Sequence, residues 1–381
     1  MLHFSDEEFA ARTGQLEQAM ERSSLDGMLL FAPESQYWLT GYDTFGFCFF
    51  QCLVVGGPRP VLLTRSADLL QARLTSNIED VRIWMDDDAA RPENDLAELI
   101  QELGLSGKRL GIETDTCGLT GYNCLRVHER LDGVATLVEA SDVVPEMRLT
   151  KSEAELAYVR KAGELADNAL DAAVEASAPG VDEGRVLARM QGAVFEGGGD
   201  YPGNEFIIGS AEHAMLVRYA SGTRALDEQD QLNLEWAGVY RHYHVAMMRT
   251  LIIGEPCRQH LRMHEVGVEA LLRCESELRP GNSMERVFDE HVQALEDNGM
   301  GHFRLNACGY SLGARFTPTW MDRFMFRAGA KTIIQPGMVF FLHMILLDGE
   351  NSLAMCTGRT SLVTEGVAKP LSRHNLSLIT I

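Results

Sequence analysis

The pattern of the chain changes near residue 148, and that change constrains the fold more than any other feature of the sequence. Before it, short apolar stretches alternate with helical segments. Strands are expected at 27–31, 52–55, 61–64, 81–84, 110–112 and 135–138, and helices near 66–76, 94–104 and 119–132. An opening helix is marked by Ser5 and Glu8, spaced as a capping box. The run YWLTGY (37–42) reads as aromatic and turn-rich. Such alternation predicts a small α/β domain whose sheet is covered by helices. After the change comes MRLTKSEAELAYVRKAGELADNALDAAVEAS, a long amphipathic helix. Ser152 and Glu155 form a second capping box, Leu156, Val159, Leu165 and Leu170 fall along one stripe, and Pro179-Gly180 ends it. A helix near 182–196 follows, then strands at 206–209, 231–236 and 240–253, helices near 256–278 and 283–298, and strands at 337–347 and 352–364. Grouped strands of this kind predict an α+β domain. The expected division is 1–147 and 148–381.

The 381 residues carry 34 Lys+Arg against 55 Asp+Glu, a formal net charge of −21. A field of that sign repels phosphate backbones and anionic lipid, so nucleic acid and membrane surfaces are poor partners. No apolar run approaches the roughly 18 residues that span a bilayer. The N-terminus has no basic segment followed by an apolar one. Eight cysteines, at 48, 52, 117, 124, 257, 274, 308 and 356, contain no CxxC pair. They are expected to be reduced thiols in a cytoplasm, without a zinc knuckle.

The sequence has no GxxxxGK[ST], no GxGxxG after a strand, no GxSxG and no HExxH, so nucleotide, serine-hydrolase and zincin sites lack support. The glycine cluster 197–199 reads as a tight loop. The richest constellation is in NLEWAGVYRHYHVAMMRT, which reads as a hairpin turning at Ala237-Gly238. Its second strand, starting near Tyr240, would set His242 and His244 on one face. Glu235 with these imidazoles offers a general base, an orienting partner or metal ligands. His343 interrupts the apolar strand VFFLHMILL, and a buried polar group there needs a hydrogen bond. Tyr310 lies in the Gly-flanked GYSLG.

These pieces together resemble the creatinase, prolidase and aminopeptidase P family, whose catalytic domain has the pita-bread fold. The resemblance runs through YWLTGY, RLTKSEAELAYVRKA, the hairpin LNLEWAGVYRHYHVAMMRT, GYSLG, and QPGMVFFLHMILLDGE leading to GRTSLVTEGV. Within the family, GYDTFGFCFFQCLVV, GGDYP, EWAGVYRHYH and GYSLG followed by PTW are most similar to the ectoine hydrolases. The fold implied is α+β: a C-terminal pita-bread domain preceded by a smaller creatinase-type α/β domain. Metal-dependent members hold two divalent ions with two Asp, one His and two Glu. Carried onto this chain, those positions are Glu235, Ala246, Tyr310, His343 and Gly358. Two of them have no ligand atom, and a hard divalent ion needs several oxygen or nitrogen ligands. The resemblance therefore implies a member without the dinuclear centre, with no metal and no cofactor. Creatinase works without metal, but its catalytic His and Glu positions fall near Arg218 and at His343 here.

The function expected is metal-independent hydrolysis of a C–N bond in a small polar compound, such as ectoine, creatine or a related amidine, guanidino compound or amide. Glu235 would be nucleophile or general base, His242, His244 or His343 would move protons, and Tyr310 would stabilise developing charge. Arg218 suits a substrate carboxylate. Tyr240, Trp320, Tyr37, Trp38, Tyr42 and Phe45 are candidate pocket residues, with the N-domain core as the competing place for the last four. A lyase, a non-catalytic binder and an Xaa-Pro metallopeptidase are the alternatives. The partners expected are a zwitterionic small molecule and, from the family, a second copy in a homodimer.

Overall fold

A computed structural model describes residues 2–218 and 223–381. The chain divides into two compact units, Met1–Arg148 and Leu149–Ile381.

The first unit opens with α1 (Asp6–Arg22), where Ser5 Oγ accepts the Glu8 N–H at 3.3 Å and Phe9, Leu16 and Met20 supply the buried face. Its sheet contains β1 (Gly27–Leu30), β2 (Cys52–Val55), β3 (Val61–Arg65), β4 (Asp80–Trp84), β5 (Arg109–Ile112) and β6 (Thr136–Glu139), in the order β4-β3-β2-β1-β5-β6. The two faces of this sheet bury different cores. Leu29 and Phe31 pack with Val54, Leu63, Leu96 and Ile100, whereas Met28 and Leu30 pack with Leu16, Trp38, Leu53 and Leu62. That is the period of two expected of a strand covered on both sides. Helices α2 (Pro33–Thr40), α3 (Leu69–Thr75), α4 (Pro92–Glu102) and α5 (Gly121–Leu131) complete the unit. The run 37–42 is thus mostly helix, not turn. Pro33 starts α2 with a preset φ, and Gly41 ends it at φ +79°.

A short helix, α6 (Val143–Leu149), leads to the second unit. There α7 (Glu153–Ala176) begins with the full capping box, Ser152 and Glu155 each bonding the other's backbone. Then come α8 (Glu183–Glu196), β7 (Ile207–Ser210), β8 (Asp230–Tyr240), β9 (Tyr243–Ile253), α9 (Arg258–Ser276), α10 (Met284–Asp297), β10 (Gly309–Ser311), β11 (Val339–Asp348) and β12 (Leu353–Leu362). The sheet order is β10-β11-β12-β9-β8-β7 with antiparallel neighbours throughout this path. Among the described residues, no helix is long and apolar enough to cross a membrane.

The β8–β9 hairpin turns at Arg241-His242, not at Ala237-Gly238. Both turn residues have positive φ, +51° and +64°, the signature of a two-residue turn matched to strand twist. Glycine at 238 serves packing instead: a Cβ there would collide with the backbone of α7 at Ala162 and Ala166. The ladder therefore continues four residues further than expected, to Tyr240 opposite Tyr243.

Candidate functional site

The hairpin register fixes which side chains meet. Glu235 pairs with Met248, Met248 with Gly358, and Gly358 with His343, so one row crosses β8, β9, β12 and β11. Directly opposed residues share a face. Residues one position along point the other way: Trp236 donates its Nε1–H to the Ala166 carbonyl of α7, and Met344 joins the core formed by α9 and α10. The row of Glu235 and His343 therefore lies on the face away from these helices. Phe341 and Tyr310, opposed on β11 and β10, lie on the same face as His343.

Glu235, Tyr310, Trp320 and His343 converge on this face, within the field of Arg218. Tyr310 donates its O–H to Glu235 Oε1 at 3.2 Å, and Trp320 donates its Nε1–H to Tyr310 Oη at 2.9 Å. The Tyr310 and His343 rings are 5.8 Å apart between centroids. The charge of Arg218 acts on Glu235, Tyr310 and His343 alike, and its own side chain is exposed. Burial raises the Glu235 carboxyl to about 7, opposed by the Tyr310 hydrogen bond and the Arg218 charge. Burial also lowers His343 to about 4, so its imidazole is neutral near pH 7, and its buried Nδ1 has no hydrogen-bond partner. The Tyr310 phenol is held well above its usual range, first by burial and then by Glu235, and stays protonated. The arrangement is a carboxyl group poised near neutrality, a neutral imidazole and a protonated phenol with a fixed donor behind it.

The remaining candidates make other contacts, and of these His244 shares the sheet face of Glu235, two residues along β9 from Ala246. His242 and His244 do not share a strand face, because His242 is a turn residue. Its ring stacks on Phe316 at 4.1 Å between centroids. His244 sits opposite Val239 and is fully buried, and its Nε2 accepts the Gly203 N–H at 2.9 Å. Burial pushes it down to about 3, so it serves as a neutral anchor for the loop around Gly203. Tyr240 points to the helical side of β8, edge-on to Tyr158 of α7 at 5.6 Å. Tyr37, Trp38 and Tyr42 belong to the core of the first unit rather than to a pocket wall, with Tyr37 Oη bonded to His3 Nδ1 at 2.8 Å. Phe45 is 80% exposed.

The structure also places the five positions onto which the family resemblance carries the ligands of two metal ions. Glu235 is the lone carboxylate. Ala246 lies on the same face, opposite Ala237, and offers no donor atom. Tyr310 and His343 stand where the resemblance would put a His and a Glu. At Gly358 the space of a side chain is already filled, since a Cβ there would lie 2.8 Å from Phe341 Cζ. Among the described residues, no group of three His, Cys, Asp or Glu donors gathers on this face. These residues do not fit a dinuclear centre of hard divalent ions, which takes several oxygen donors per ion. Phe341 was not singled out from the sequence, although alternation from His343 marks it as a neighbour on the same face.

Comparison with known proteins places the chain in a family. Residues 157–365 match metallopeptidase family M24, and residues 12–150 match the creatinase/prolidase N-terminal domain. An uncharacterized hydrolase/peptidase of Sinorhizobium fredii is 30% identical over 355 residues, covering 90% of each chain. The ectoine hydrolase of Halomonas elongata is 26% identical over 366 residues, covering 89% of each. The solved prolidase of Thermococcus sibiricus superposes with a TM-score of 0.88 at 19% identity, covering 98% of this chain and 99% of its own. That last likeness speaks for the two-domain pita-bread fold alone. The chain belongs to the M24 family of hydrolases, with a creatinase-type N-terminal domain ahead of its pita-bread domain.

Proposed function

We propose that this chain hydrolyses a C–N bond in a small zwitterionic compound without a metal ion, in the manner of an ectoine or creatine hydrolase. The observation that supports this reading most is the row Glu235, Met248, Gly358, His343. It keeps one carboxylate, backed by Tyr310 and Trp320, and fills the place of a second with the Phe341 ring.

In this reading Glu235, ionised, takes a proton from the attacking water while the water oxygen bonds to the electrophilic carbon. Once protonated, Glu235 donates to Tyr310 Oη. The Tyr310 O–H is then released to donate to the negative charge building on the substrate, with Trp320 fixing the phenol in place. The C–N bond breaks as the proton that Glu235 took from the water passes to the leaving nitrogen, with the neutral imidazole of His343 as the relay, which leaves Glu235 ionised again. Arg218 pairs with a substrate carboxylate. The mechanism assigns no proton transfer to His242 or His244. The acidic exterior accords with a zwitterionic substrate and with solubility. A homodimer in the cytoplasm completes the proposal.

The test is turnover of ectoines, creatine, guanidino acids and Xaa-Pro dipeptides, with and without a strong chelator, alongside metal analysis of the protein. Hydrolysis of a zwitterionic amide or amidine, unaffected by the chelator, is expected. Turnover of Xaa-Pro dipeptides that requires about two equivalents of a divalent ion per chain would overturn the proposal.

A further inference from the structure

A second constellation lies on the other side of the same sheet. Cys274 of α9, His291 of α10 and Cys308 just before β10 are all buried. Their two Sγ atoms and one imidazole nitrogen lie within 4.8 Å of one another. The three come from separate elements, so no sequence motif announces them.

Three observations point to a ligand rather than to ordinary core thiols. First, His291 is 1% exposed, yet its Nε2 has no hydrogen-bond partner, an expensive state for a buried polar atom. Second, its Nδ1 lies 3.1 Å from Met344 Sδ. A thioether only accepts, so Nδ1 carries the hydrogen and Nε2 keeps a free lone pair. A ligating histidine is oriented in this way, by a hydrogen bond from its other nitrogen. Third, the donors are uniformly soft: two thiols and an imidazole, with a thioether beside them. Such a set selects thiophilic ions and disfavours calcium, magnesium and manganese.

The dimensions allow it. Metal–sulfur bonds of about 2.3 Å around a three-coordinate ion set two sulfurs about 4 Å apart, within reach of small side-chain shifts. We infer that Cys274, His291 and Cys308 form a buried site for a thiophilic cation, Zn(II) or Cu(I). Binding releases two thiol protons and leaves the imidazole neutral. With Zn(II), two thiolates bring the net charge to zero, which suits an apolar core.

The site would brace the catalytic face from behind. The Cys308 carbonyl accepts the His343 N–H at 3.0 Å, and Met344 follows His343 on β11. An ion held there ties α9 and α10 to the β10–β11 edge that carries Tyr310 and His343. The inference does not depend on the proposed reaction, since it concerns the opposite face of the sheet.

The full chain is produced in medium supplemented with zinc, and in parallel with copper under reducing conditions, then desalted and analysed for metal. About one equivalent of one ion is expected in the wild type and in Glu235→Gln, whose change lies on the catalytic face. At least a tenfold loss of occupancy is expected in Cys274→Ser/Cys308→Ser with unchanged circular dichroism. Should that variant not fold, Co(II) loaded into the wild type as probe must show thiolate-to-cobalt charge-transfer absorption. Absence of metal from the wild type in both media, occupancy undiminished by the serine substitutions, or cobalt binding without thiolate absorption overturns the inference.

Discussion

Replacing Glu235 by Gln should kill turnover and stabilise the protein, and the size of the gain should depend on pH in a defined direction. Glu235 has an ordinary value of 4.5 and is raised to about 7 by burial. The folded state thus binds the proton more tightly than the unfolded chain does. For a raised acid, stability is fully present below pH 4.5 and is lost as pH climbs from 4.5 to 7, where the unfolded chain ionises first. At 1.36 kcal/mol per unit, a shift of about 2.5 units amounts to roughly 3 kcal/mol. Gln imitates the neutral acid and keeps an acceptor for the Tyr310 O–H, but it does not titrate. The stability difference between variant and wild type should therefore grow by about 2–3 kcal/mol between pH 5 and pH 8. Urea denaturation of both proteins at several pH values measures it, and comparing them at each pH cancels every other titrating group. A difference that stays flat from pH 5 to pH 8 would refute the account of Glu235 as a carboxyl held near neutrality by burial. Turnover that survives the substitution would separately remove it from the chemistry.

Tyr310→Phe should lower kcat by roughly 10–1,000-fold and raise the apparent pKa of the acidic limb of the pH–rate profile, because it removes the hydrogen bond that favours ionised Glu235. Arg218→Ala should raise KM for a carboxylate substrate by tenfold or more while leaving kcat close to wild type, as steady-state kinetics will show. His242→Gly should retain kcat within a few-fold, since a turn residue at φ +64° that stacks on Phe316 carries no proton in the mechanism. A large kcat loss there, with the fold intact by circular dichroism, would return His242 to the site.

Much of the fold is legible in the sequence because the signals are local. The N-cap at Ser5, the full capping box at Ser152, the Pro179-Gly180 stop and the period-two strands each depend on a few neighbouring residues. The hairpin turn is harder. Ala237-Gly238 carries the usual turn residue, whereas Arg241-His242 carries none, and positive φ at Arg and His is a local penalty of order 1 kcal/mol each. The penalty is met from outside the hairpin: Asp200 Oδ2 accepts the His242 N–H at 3.3 Å, and the His242 carbonyl accepts the Arg315 N–H at 3.0 Å. Neither partner is visible in the hairpin's own sequence. The error matters for the site, because a turn at 237–238 would set Glu235 opposite Tyr240 instead of Met248. Glu235, Tyr310, Trp320, His343 and Arg218 are traceable through the family resemblance. For Tyr37, Trp38 and Tyr42 the sequence leaves core and pocket both open and packing decides for the core, whereas the contact between Phe341 and Gly358 emerges only from packing.

That contact bears on whether this site has room for a dinuclear centre. If Gly358 were merely a lost ligand, restoring an acid there would be a simple substitution. Instead the Phe341 ring occupies the volume, fully buried between Tyr310 and His343 at centroid distances of 5.4 Å to each. The two positions are therefore coupled. Gly358→Ala alone should cost about 1–3 kcal/mol by overpacking. Phe341→Ala alone should cost about 3–5 kcal/mol by leaving a cavity. Together they should cost clearly less than the sum, because each change makes room for the other. Denaturation of the four proteins in the cycle measures this coupling. If the two penalties simply add, the Phe341 ring does not stand in for the missing side chain, and a return to metal binding would be open to point substitutions at Ala246 and Gly358. If they couple, the ring is part of the site's architecture, an aromatic wall beside Glu235 and His343 that fills the place of a side chain at 358, as the proposed metal-independent reaction expects.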